Sequence, residues 1–430
     1  MSALNSANTA NNLWVLLSAL LVFLMTEAVG FLEVGELGED HSRSLLKTLL
    51  ISGAALFFMA FLGFNIAFAP TINGIIGDPL YGGVFLGGFS PNTPGLLTST
   101  WWSMSEAYFG TGISLGTYFI FETAFAAVTL ALVGVIVLRK VKLEAFFLYS
   151  IAYFIVIWSL PAAWIWNPTG WLYLMGMRDF AGGLVVHGAA GAAGLAIVLR
   201  IWWEEKKKGL KESPKVQISL NPFWLTLSIL LLWMGWFGFN PGSTLAINYG
   251  AEVVVLTTFL SASAAFLSTM FFQYVRTKDN PDLLYAVNGV LMGLIIITPL
   301  AGFVSPGSAV ILGLISGPLF LASEKLFSRF KWFSDPVGLF PGHMVGGLFG
   351  TLMIPFFAEH DFATASGFPT LPNGLFFGGG YAAIEQLGVE VFGIAVVLLA
   401  VFGLSLVSMW VIGKVLHGIT TDYKKEKLIS

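Results

Sequence analysis

Eleven apolar segments, each close to the length that crosses a bilayer, follow one another along the chain. A transmembrane helix needs about 20 apolar residues, and the sixth and ninth segments are predicted to be shorter than the rest. The runs are continuous rather than alternating, which favours helices over a β-barrel. The sequence therefore predicts an all-α membrane protein with eleven transmembrane helices. The spans are approximately Leu13–Val34, Leu45–Phe68, Thr117–Leu138, Leu143–Leu160, Asp179–Leu199, Trp224–Phe239, Val253–Tyr274, Leu283–Ala301, Ala309–Leu321, Pro336–Ile354 and Val391–Val411.

The composition agrees with this pattern and excludes several classes of protein. Of the 430 residues, 56% are hydrophobic and 10% are charged, against about 25% charged in soluble proteins. A soluble domain could not bury so much apolar surface, so a water-soluble enzyme and a disordered protein are excluded. The net charge of −3 provides no basic surface for nucleic acid. The chain has no cysteine, and hence no disulfide, thiol nucleophile or zinc–thiolate site.

The lysines and arginines predict the orientation of the spans. When the N-terminus is placed outside, the inner segments hold all of the 21 positive residues except Arg178. A wrong number of spans would not separate the charges in this way. We therefore expect a multi-pass protein of the cell (plasma) membrane, with the N-terminus outside and the C-terminus in the cytoplasm.

Two segments repeat one pattern of Asp, Gly and His. They read DFAGGLVVHGAAGAAG, which begins at Asp179, and DPVGLFPGHMVGGLFG, which begins at Asp335. In each copy a glycine follows three residues after the aspartate and a histidine eight residues after it. Further glycines stand four and seven residues beyond the histidine. The paired positions are Asp179 and Asp335, Gly182 and Gly338, His187 and His343, Gly191 and Gly347, and Gly194 and Gly350.

The two copies lie five spans apart, and this odd number gives them opposite directions through the bilayer. Eight helical residues advance about 12 Å, so His187 and His343 both reach the middle of a core about 30 Å thick. This is the layout of an inverted-repeat transporter, whose site lies at the repeat interface. The glycines clear one helix face, so that two backbones can approach closely. We predict a transmembrane domain over residues 1–411, with repeat halves at about 12–200 and 220–355 and a last helix at about 391–411, followed by a short cytoplasmic tail at 412–430.

Histidines at membrane depth usually mark a pathway or a proton relay, and we interpret His187 and His343 in this way. A neutral imidazole offers one donor and one acceptor. A pair in contact suits a small neutral molecule such as ammonia, or a proton relay. Two alternatives stay open: a hydrogen-bonded pair that only joins two helices, and a metal site, for which two imidazoles are few ligands. No cofactor is predicted. His41, His360 and His417 fall in loops or near helix ends.

Aromatic residues gather near the predicted outer ends of several spans. Phe121 and Phe125 stand four residues apart on one helix face, Trp166 follows the fourth span, and GWFGFNPGS occupies residues 235–243. Aromatic faces attract cations by roughly 0.5–2 kcal/mol, and a serine hydroxyl accepts a hydrogen bond from an ammonium proton. Each aromatic residue taken alone is better explained by lipid contact or core packing. Trp236 is interpreted as packing near the gate, so its replacement should matter less.

The three motifs together, in this order and spacing, resemble the ammonium transporter family (Amt/Mep/Rh), on its Amt side. The resemblance covers nearly the whole chain. It implies a homotrimer with one pore in each subunit, which recruits ammonium at an outer aromatic site, deprotonates it and conducts ammonia, with or without separate proton transfer. The residues that it assigns are Phe121, Trp166, Asp179 and Ser243 at the outer ammonium site, Phe125 and Phe239 at a stacked gate, and His187 and His343 in the pore, with Trp164 as the alternative to Trp166.

The chain departs from the family in two places. The stretch TEAVGFLEVGELGEDH, which covers the end of the first span and the loop after it, is acidic; its Glu27 lies within the span, and Glu122 stands beside Phe121. We interpret Glu27 either as a second polar site or as a residue that faces a neighbouring subunit, and the role of Glu122 stays open. The tail KVLHGITTDYKKEKLIS lacks the Leu-Asp…Glu-His-Gly pattern of the family. Its absence argues against regulation by a PII-type signal protein.

Three other functions are weighed against ammonium transport. A sensor of the same fold would bind ammonium without moving it, and the unusual first loop and short tail motivate this alternative. A Rh-like channel for a neutral gas would not need the outer aromatic site. A membrane enzyme would need a nucleophile and a base, or a metal cluster, and the sequence offers neither, so we predict no enzymatic activity.

Overall fold

The computed structural model describes residues 2–38, 41–80, 113–137, 140–209, 219–280, 282–330, 335 and 338–421. Within these residues ten helices are long and apolar enough to cross a membrane, and one shorter apolar helix lies between the seventh and ninth spans. The all-α membrane fold is therefore confirmed, and the eleven helices agree with the predicted count. The spans are Asn8–Leu37, His41–Phe68, Leu115–Ile136, Leu143–Ile165, Gly183–Lys207, Pro222–Gly242, Tyr249–Thr277, Leu283–Ile297, Pro306–Phe327, Leu339–Phe357 and Gly380–Val415.

The prediction that the sixth and ninth spans are the short ones is wrong. These helices have 21 and 22 residues, whereas the eighth has 15. Each of the two begins with a proline directly after a capping side chain, Pro222 after Asn221 and Pro306 after Ser305. Proline fits the first turn of a helix because that turn does not need its N–H group. The predicted spans are drawn from apolar length alone, so they begin after these capped first turns.

The first and sixth spans, which are equivalent in the two halves of the predicted repeat, pack extensively against each other. The first span also packs on the third, and the seventh packs on the eighth and ninth. The eleventh span lies against the fifth. The third and fifth spans are therefore enclosed by other helices, and they carry Phe121, Phe125 and His187 among the candidate site residues.

Short elements close one end of the bundle, the end at which the fourth span finishes. A hairpin of two strands, Thr71–Ile72 and Ile76–Gly77, precedes the short helix Trp171–Leu174 in this region. The Asn167 side chain joins the turn before this helix to the end of the second span, because its Nδ2 donates to the carbonyls of Ala67 at 3.1 Å and Ala69 at 2.7 Å. The helices His360–Ala365 and Leu375–Phe377 follow the tenth span.

The residues after the eleventh span fold back onto the opposite end of the bundle. The carboxylate of Glu204, in the last turns of the fifth span, accepts hydrogen bonds from the backbone N–H groups of Ile419 at 2.9 Å and Thr420 at 3.1 Å. Lys142 Nζ donates to the carbonyl of Gly418 at 2.9 Å. The tail is thus fixed to the fifth span as far as residue 421, where the described part of the chain ends.

A buried ion pair joins the first two spans. Lys47 Nζ contacts a carboxylate oxygen of Glu33, and both side chains are almost fully buried. Ser44 Oγ donates to the other carboxylate oxygen of Glu33 at 3.0 Å. Nearly two turns earlier in the first span, Glu27 accepts a hydrogen bond from Thr48. Two acidic residues of the first span, Glu27 and Glu33, therefore bind side chains of the second span.

Candidate functional site

The two repeated aspartates cap two helices in the same way. Asp179 Oδ1 accepts from the N–H groups of Gly182 and Gly183, at 2.9 and 2.7 Å, and its Oδ2 accepts from the next two residues, at 2.8 and 2.9 Å. Asp335 accepts from Leu339 on Oδ1 and from the following residue on Oδ2, both at 2.9 Å. A carboxylate at this position satisfies free N–H groups and favours the positive end of the helix.

A left-handed glycine and a widened turn separate each aspartate from its histidine. Gly182 has a φ of +114° and Gly338 a φ of +67°, a conformation that glycine adopts at little cost. A π-helical turn follows in each copy, over Gly183–Gly188 and Leu339–Met344. Such single wide turns are rare and often lie at functional sites. In both copies the histidine is the fifth residue of the turn.

The two histidines meet inside the bundle. Nδ1 of His187 lies 3.1 Å from Nδ1 of His343, and the ring centroids are 5.1 Å apart. The repeated glycines allow this approach, because a Cβ on Gly347 would lie 2.2 Å from the Gly183 carbonyl oxygen and a Cβ on Gly191 2.5 Å from the Met344 Cβ. The predicted contact between the two histidines of the repeat is present in the structure.

Burial affects the charge of the groups that flank these turns. The pKa of Asp179 is raised above its usual value by burial, although its four backbone hydrogen bonds act in the opposite direction. Burial raises the pKa of Asp335 to about 6, again against its backbone hydrogen bonds. The pKa of Arg178 is lowered by burial. At both caps, therefore, burial outweighs the hydrogen bonds that favour the carboxylate.

A cavity of about 160 Å³ opens beside Asp179, at the end of the bundle where the fourth span finishes. The four residues predicted for the outer site line it together with Phe125. The Trp166 indole donates to the Asp179 carbonyl at 2.7 Å, whereas Trp164 donates to Ile75 and is not part of the lining. The geometry thus favours Trp166 over Trp164 at this position. We call this space the outer cavity, and its predicted lining residues are Phe121, Phe125, Trp166, Asp179 and Ser243.

Two phenylalanines separate the outer cavity from the space around the histidines. The ring centroids of Phe125 and Phe239 are 4.4 Å apart, and both side chains are buried. Phe125 lines the outer cavity, and Phe239 lines the next cavity inward. The Phe239 ring also stacks on His187, with a centroid distance of 5.9 Å. The two rings therefore close the direct route between the cavities.

Two smaller cavities, each of about 20 Å³, continue the row beyond the phenylalanines. The first is lined by His187, His343 and Trp236, and the second by His343 and the backbone near Gly338. Apart from the imidazoles and the indole, their walls are mainly aliphatic. Trp236 stacks on His187 with a centroid distance of 5.9 Å, so it lies in the row itself as well as near the gate. His343 lines both cavities and therefore connects them.

Other residues of the outer cavity were missed in the sequence. Arg178 and Thr244 are direct neighbours of predicted residues, and Tyr118 stands one helical turn before Phe121, so adjacency was an available signal. Ser366 and Phe368 come from the segment after the tenth span, far along the chain, and nothing in their local sequence indicated the site. Glu122 was noted in the sequence without a role, and the structure places it in the wall. The additional lining residues named here are Tyr118, Glu122, Tyr173, Arg178, Thr244, Ser366 and Phe368.

Among the residues that the structure describes, no group of three or more His, Cys, Asp or Glu side chains is placed to hold a metal ion. Of the three remaining histidines, His360 Nδ1 lies 2.9 Å from the carbonyl oxygen of Leu371 and His41 stacks near Trp224. Neither is part of the pair formed by His187 and His343. Glu39, Asp40 and residues 422–430 of the tail lie outside the described residues.

Comparison with known proteins decides the family. A family model described as the Ammonium Transporter Family matches residues 13–428. The chain belongs to the ammonium transporter family. It is similar to the "Ammonium transporter" of Bacillus subtilis, at 31% identity over 84% of this chain and 82% of that protein.

Two solved structures of ammonium transporter family proteins share the fold along most of their length. Saccharomyces cerevisiae Mep2 aligns with a TM-score of 0.79 and 25% identity, covering 95% of this chain and 87% of that one. A structure described as "Sensor Amt Protein" aligns with a TM-score of 0.80 and 25% identity, covering 98% and 97%. The membrane fold and the transporter family are therefore established for nearly the whole chain.

Proposed function

We propose that this protein conducts ammonia across the membrane after recruiting ammonium at the outer cavity. The observation that carries the proposal is the row of cavities, which runs from the outer aromatic wall past Phe125 and Phe239 to the paired imidazoles. The small, mainly aliphatic spaces beyond the phenylalanines fit a small conducted molecule.

In the proposed mechanism, Trp166 and Phe121 contact the cation through their ring faces, while Ser243 accepts one of its hydrogen bonds. Moving a full charge through the apolar interior is costly, so ammonium gives up a proton before ammonia passes the phenylalanines. Ammonia then exchanges hydrogen bonds with His187 and His343. Potassium has no proton to give up and cannot donate to an imidazole, and this difference supplies selectivity.

We also propose the assembly and orientation that the family implies. The protein forms a homotrimer in the cell membrane with one pore in each subunit, its N-terminus outside and its C-terminus in the cytoplasm. The strongest support for this orientation is the distribution of positive charge, since only Arg178 falls on the outer side. The outer cavity then faces the external medium.

A second candidate function is an ammonium sensor with little or no flux. It is favoured by the similarity to "Sensor Amt Protein" over 97% of that chain and by the acidic first span. The two functions share the outer cavity and differ in whether the row beyond the phenylalanines conducts. Binding alone therefore does not separate them, and a measurement of flux does.

The deciding experiment reconstitutes the full chain in liposomes on a solid-supported membrane and applies an ammonium jump, with a pH-sensitive dye inside parallel vesicles. Transport predicts a saturable current or an internal pH change that His187→Ala and His343→Ala each reduce. Saturable binding without current or pH change supports the sensor instead. Full flux in both histidine variants would reject the pore assignment.

A further inference from the structure

The wall of the outer cavity contains a buried carboxyl group that the proposed mechanism does not use. Glu122 follows Phe121 in the third span and lines the cavity, although the residue is only 6% exposed. Its side chain is hydrogen-bonded to Tyr118, one turn earlier. Its Oε2 atom is buried and has no hydrogen-bond partner among the described residues. One carboxyl oxygen of a residue that lines the cavity thus lacks a hydrogen-bond partner in the described part of the chain.

Positive charge in the same wall does not satisfy this carboxyl group. Arg178 also lines the cavity, but its terminal nitrogens donate elsewhere, to the carbonyls of Tyr173 and Met177 at 3.0 and 2.7 Å and to Thr370 Oγ1 at 3.0 Å. None of the salt bridges within the described residues includes Glu122. A buried carboxylate without a cation is costly, so a cation in the cavity would relieve that cost.

Three other polar groups of the wall, those of Ser243, Thr244 and Trp166, direct their hydrogens to backbone carbonyls, whereas Arg178 Nε and Ser366 Oγ have no partner among the described residues. Ser243 Oγ donates to the Phe239 carbonyl at 2.8 Å, and Thr244 Oγ1 lies 2.7 and 2.8 Å from two backbone carbonyls that accept its hydrogen. The Trp166 N–H is used by the Asp179 carbonyl. These groups therefore present oxygen lone pairs and a ring face to the cavity, which suits a ligand that only donates hydrogen bonds.

We propose that Glu122 is an anionic ligand of the outer cation site in addition to Asp179, whose carboxylate oxygens already accept backbone hydrogen bonds, and that Glu122 Oε2 accepts a hydrogen bond from ammonium or a primary alkylammonium and balances its charge. The inference rests on the proposed function for the location of the site, and it adds a charged ligand to the aromatic and hydroxyl contacts. The opposing interpretation is that Glu122 only anchors Tyr118 within the third span. Glutamine keeps the shape and an acceptor for Tyr118 but removes the charge, so Glu122→Gln separates the two.

The test measures the Kd of radiolabelled methylammonium for the purified full chain and the KM of uptake into proteoliposomes. Charge-assisted hydrogen bonds are strong enough for their loss to weaken binding about tenfold or more. We expect Glu122→Gln to raise both constants by at least about that factor while the maximal uptake rate stays close to that of the wild type. Glu122→Asp, which keeps the charge, should recover part of the affinity.

Two matched variants make the result specific. Glu252→Gln removes a carboxylate from the exposed first turn of the seventh span, close in sequence to Ser243, and should leave both constants unchanged. Tyr118→Phe removes the internal hydrogen bond without removing the charge and should change the affinity less than Glu122→Gln. If Glu122→Gln does not fold, the comparison of Glu122→Asp with Tyr118→Phe takes its place.

The outcomes separate this inference from the proposed function. Wild-type uptake with an unchanged Kd and KM in Glu122→Gln, or equal effects of Glu122→Gln and Tyr118→Phe, would overturn the role of Glu122 and leave transport intact. Wild-type binding that Glu122→Gln weakens, in the absence of flux, would support the inference and reject transport. A wild-type chain that does not bind methylammonium at all would overturn the inference.

Discussion

Nδ1 of His187 and Nδ1 of His343 lie 3.1 Å apart, so that one hydrogen is shared between two chemically identical atoms. A neutral imidazole carries a hydrogen on only one of its nitrogens. The two rings must therefore be in different tautomers, one with hydrogen on Nδ1 and the other with hydrogen on Nε2. The near-symmetry of the two repeats is thus broken at the point where they meet.

This relationship predicts a nuclear magnetic resonance signature. In protein labelled with nitrogen-15 at histidine, near neutral pH, we expect one protonated Nδ1 and one unprotonated Nδ1 that are coupled through the shared hydrogen. His187→Ala should remove the coupling. The His343 ring should then exchange between its two tautomers and give averaged nitrogen resonances. Two protonated Nδ1 atoms in the wild type would contradict the shared hydrogen.

The close approach of the repeats predicts contrasting effects of two glycine substitutions. A Cβ on Gly347 would lie 2.2 Å from the Gly183 carbonyl oxygen and 2.8 Å from the His187 Cβ, whereas a Cβ on Gly342 meets nothing within 4 Å. Forcing extra atoms into a packed interior costs about 1–3 kcal/mol. We expect Gly347→Ala to lower the thermal midpoint of the purified protein and to reduce ammonium flux.

Gly342→Ala is the matched control for that prediction, because it lies in the preceding turn of the same span. It should leave the thermal midpoint unchanged or slightly higher, since alanine favours a helix over glycine by about 1 kcal/mol. Equal losses of stability in the two variants would argue against the close contact as the cause.

The cap at Asp335 predicts a dependence of stability on pH. Its pKa is about 6 in the folded protein, against an ordinary value of 3.8, so the folded state holds this proton more tightly than the unfolded chain. The contribution of Asp335 to stability is therefore present below about pH 4 and is lost as the pH rises through about 6. Asp335→Asn removes this titration.

The measurement is the thermal midpoint of wild type and Asp335→Asn in detergent at several values between about pH 4 and pH 7. The advantage of the wild type over the variant should be greatest at the acidic end and should decrease as the pH rises. A difference that stays constant over this range, or grows with pH, would show that burial does not control this carboxyl group.

The ion pair between Lys47 and Glu33 predicts a strongly non-additive double mutant. Removing one member of a buried pair leaves an uncompensated charge and costs about 3–5 kcal/mol, so Lys47→Met should lower the thermal midpoint sharply. Lys47→Met combined with Glu33→Leu replaces both charges by apolar groups and should recover most of that loss. Additive effects of the two substitutions would indicate that the pair is hydrated rather than buried.

The sequence was sufficient to predict the meeting of His187 and His343, because that prediction needed only the spacing from each aspartate and an odd number of intervening spans. The sequence was also sufficient to predict the all-α fold, because only helices and closed barrels span a membrane and long continuous apolar runs favour helices. The bounds of the sixth and ninth spans were wrong because apolar length registers neither the capped proline at the start of each helix nor its polar last turn, which contains Asn240 in the sixth span and Glu324 and Lys325 in the ninth.

The rest of the site depends on contacts that are distant along the chain. Ser366 reaches the outer cavity from beyond the tenth span, and no local pattern marks it. The choice between Trp164 and Trp166 depends on which indole donates to which backbone carbonyl, and two residues at the end of the helix Ser159–Ile165 give no periodicity that decides it. The widened turns were also not predicted, because nothing in the local sequence distinguishes them from ordinary helical turns.

These widened turns restrict how the length of the chain can change. Each one accommodates a residue more than an α-helical turn, and one residue of helix corresponds to a rotation of about 100°. Deleting one residue between Gly182 and His187 would leave only an α-helical turn there and would change how the imidazole is placed relative to the Asp179 cap, while the second copy kept its own arrangement.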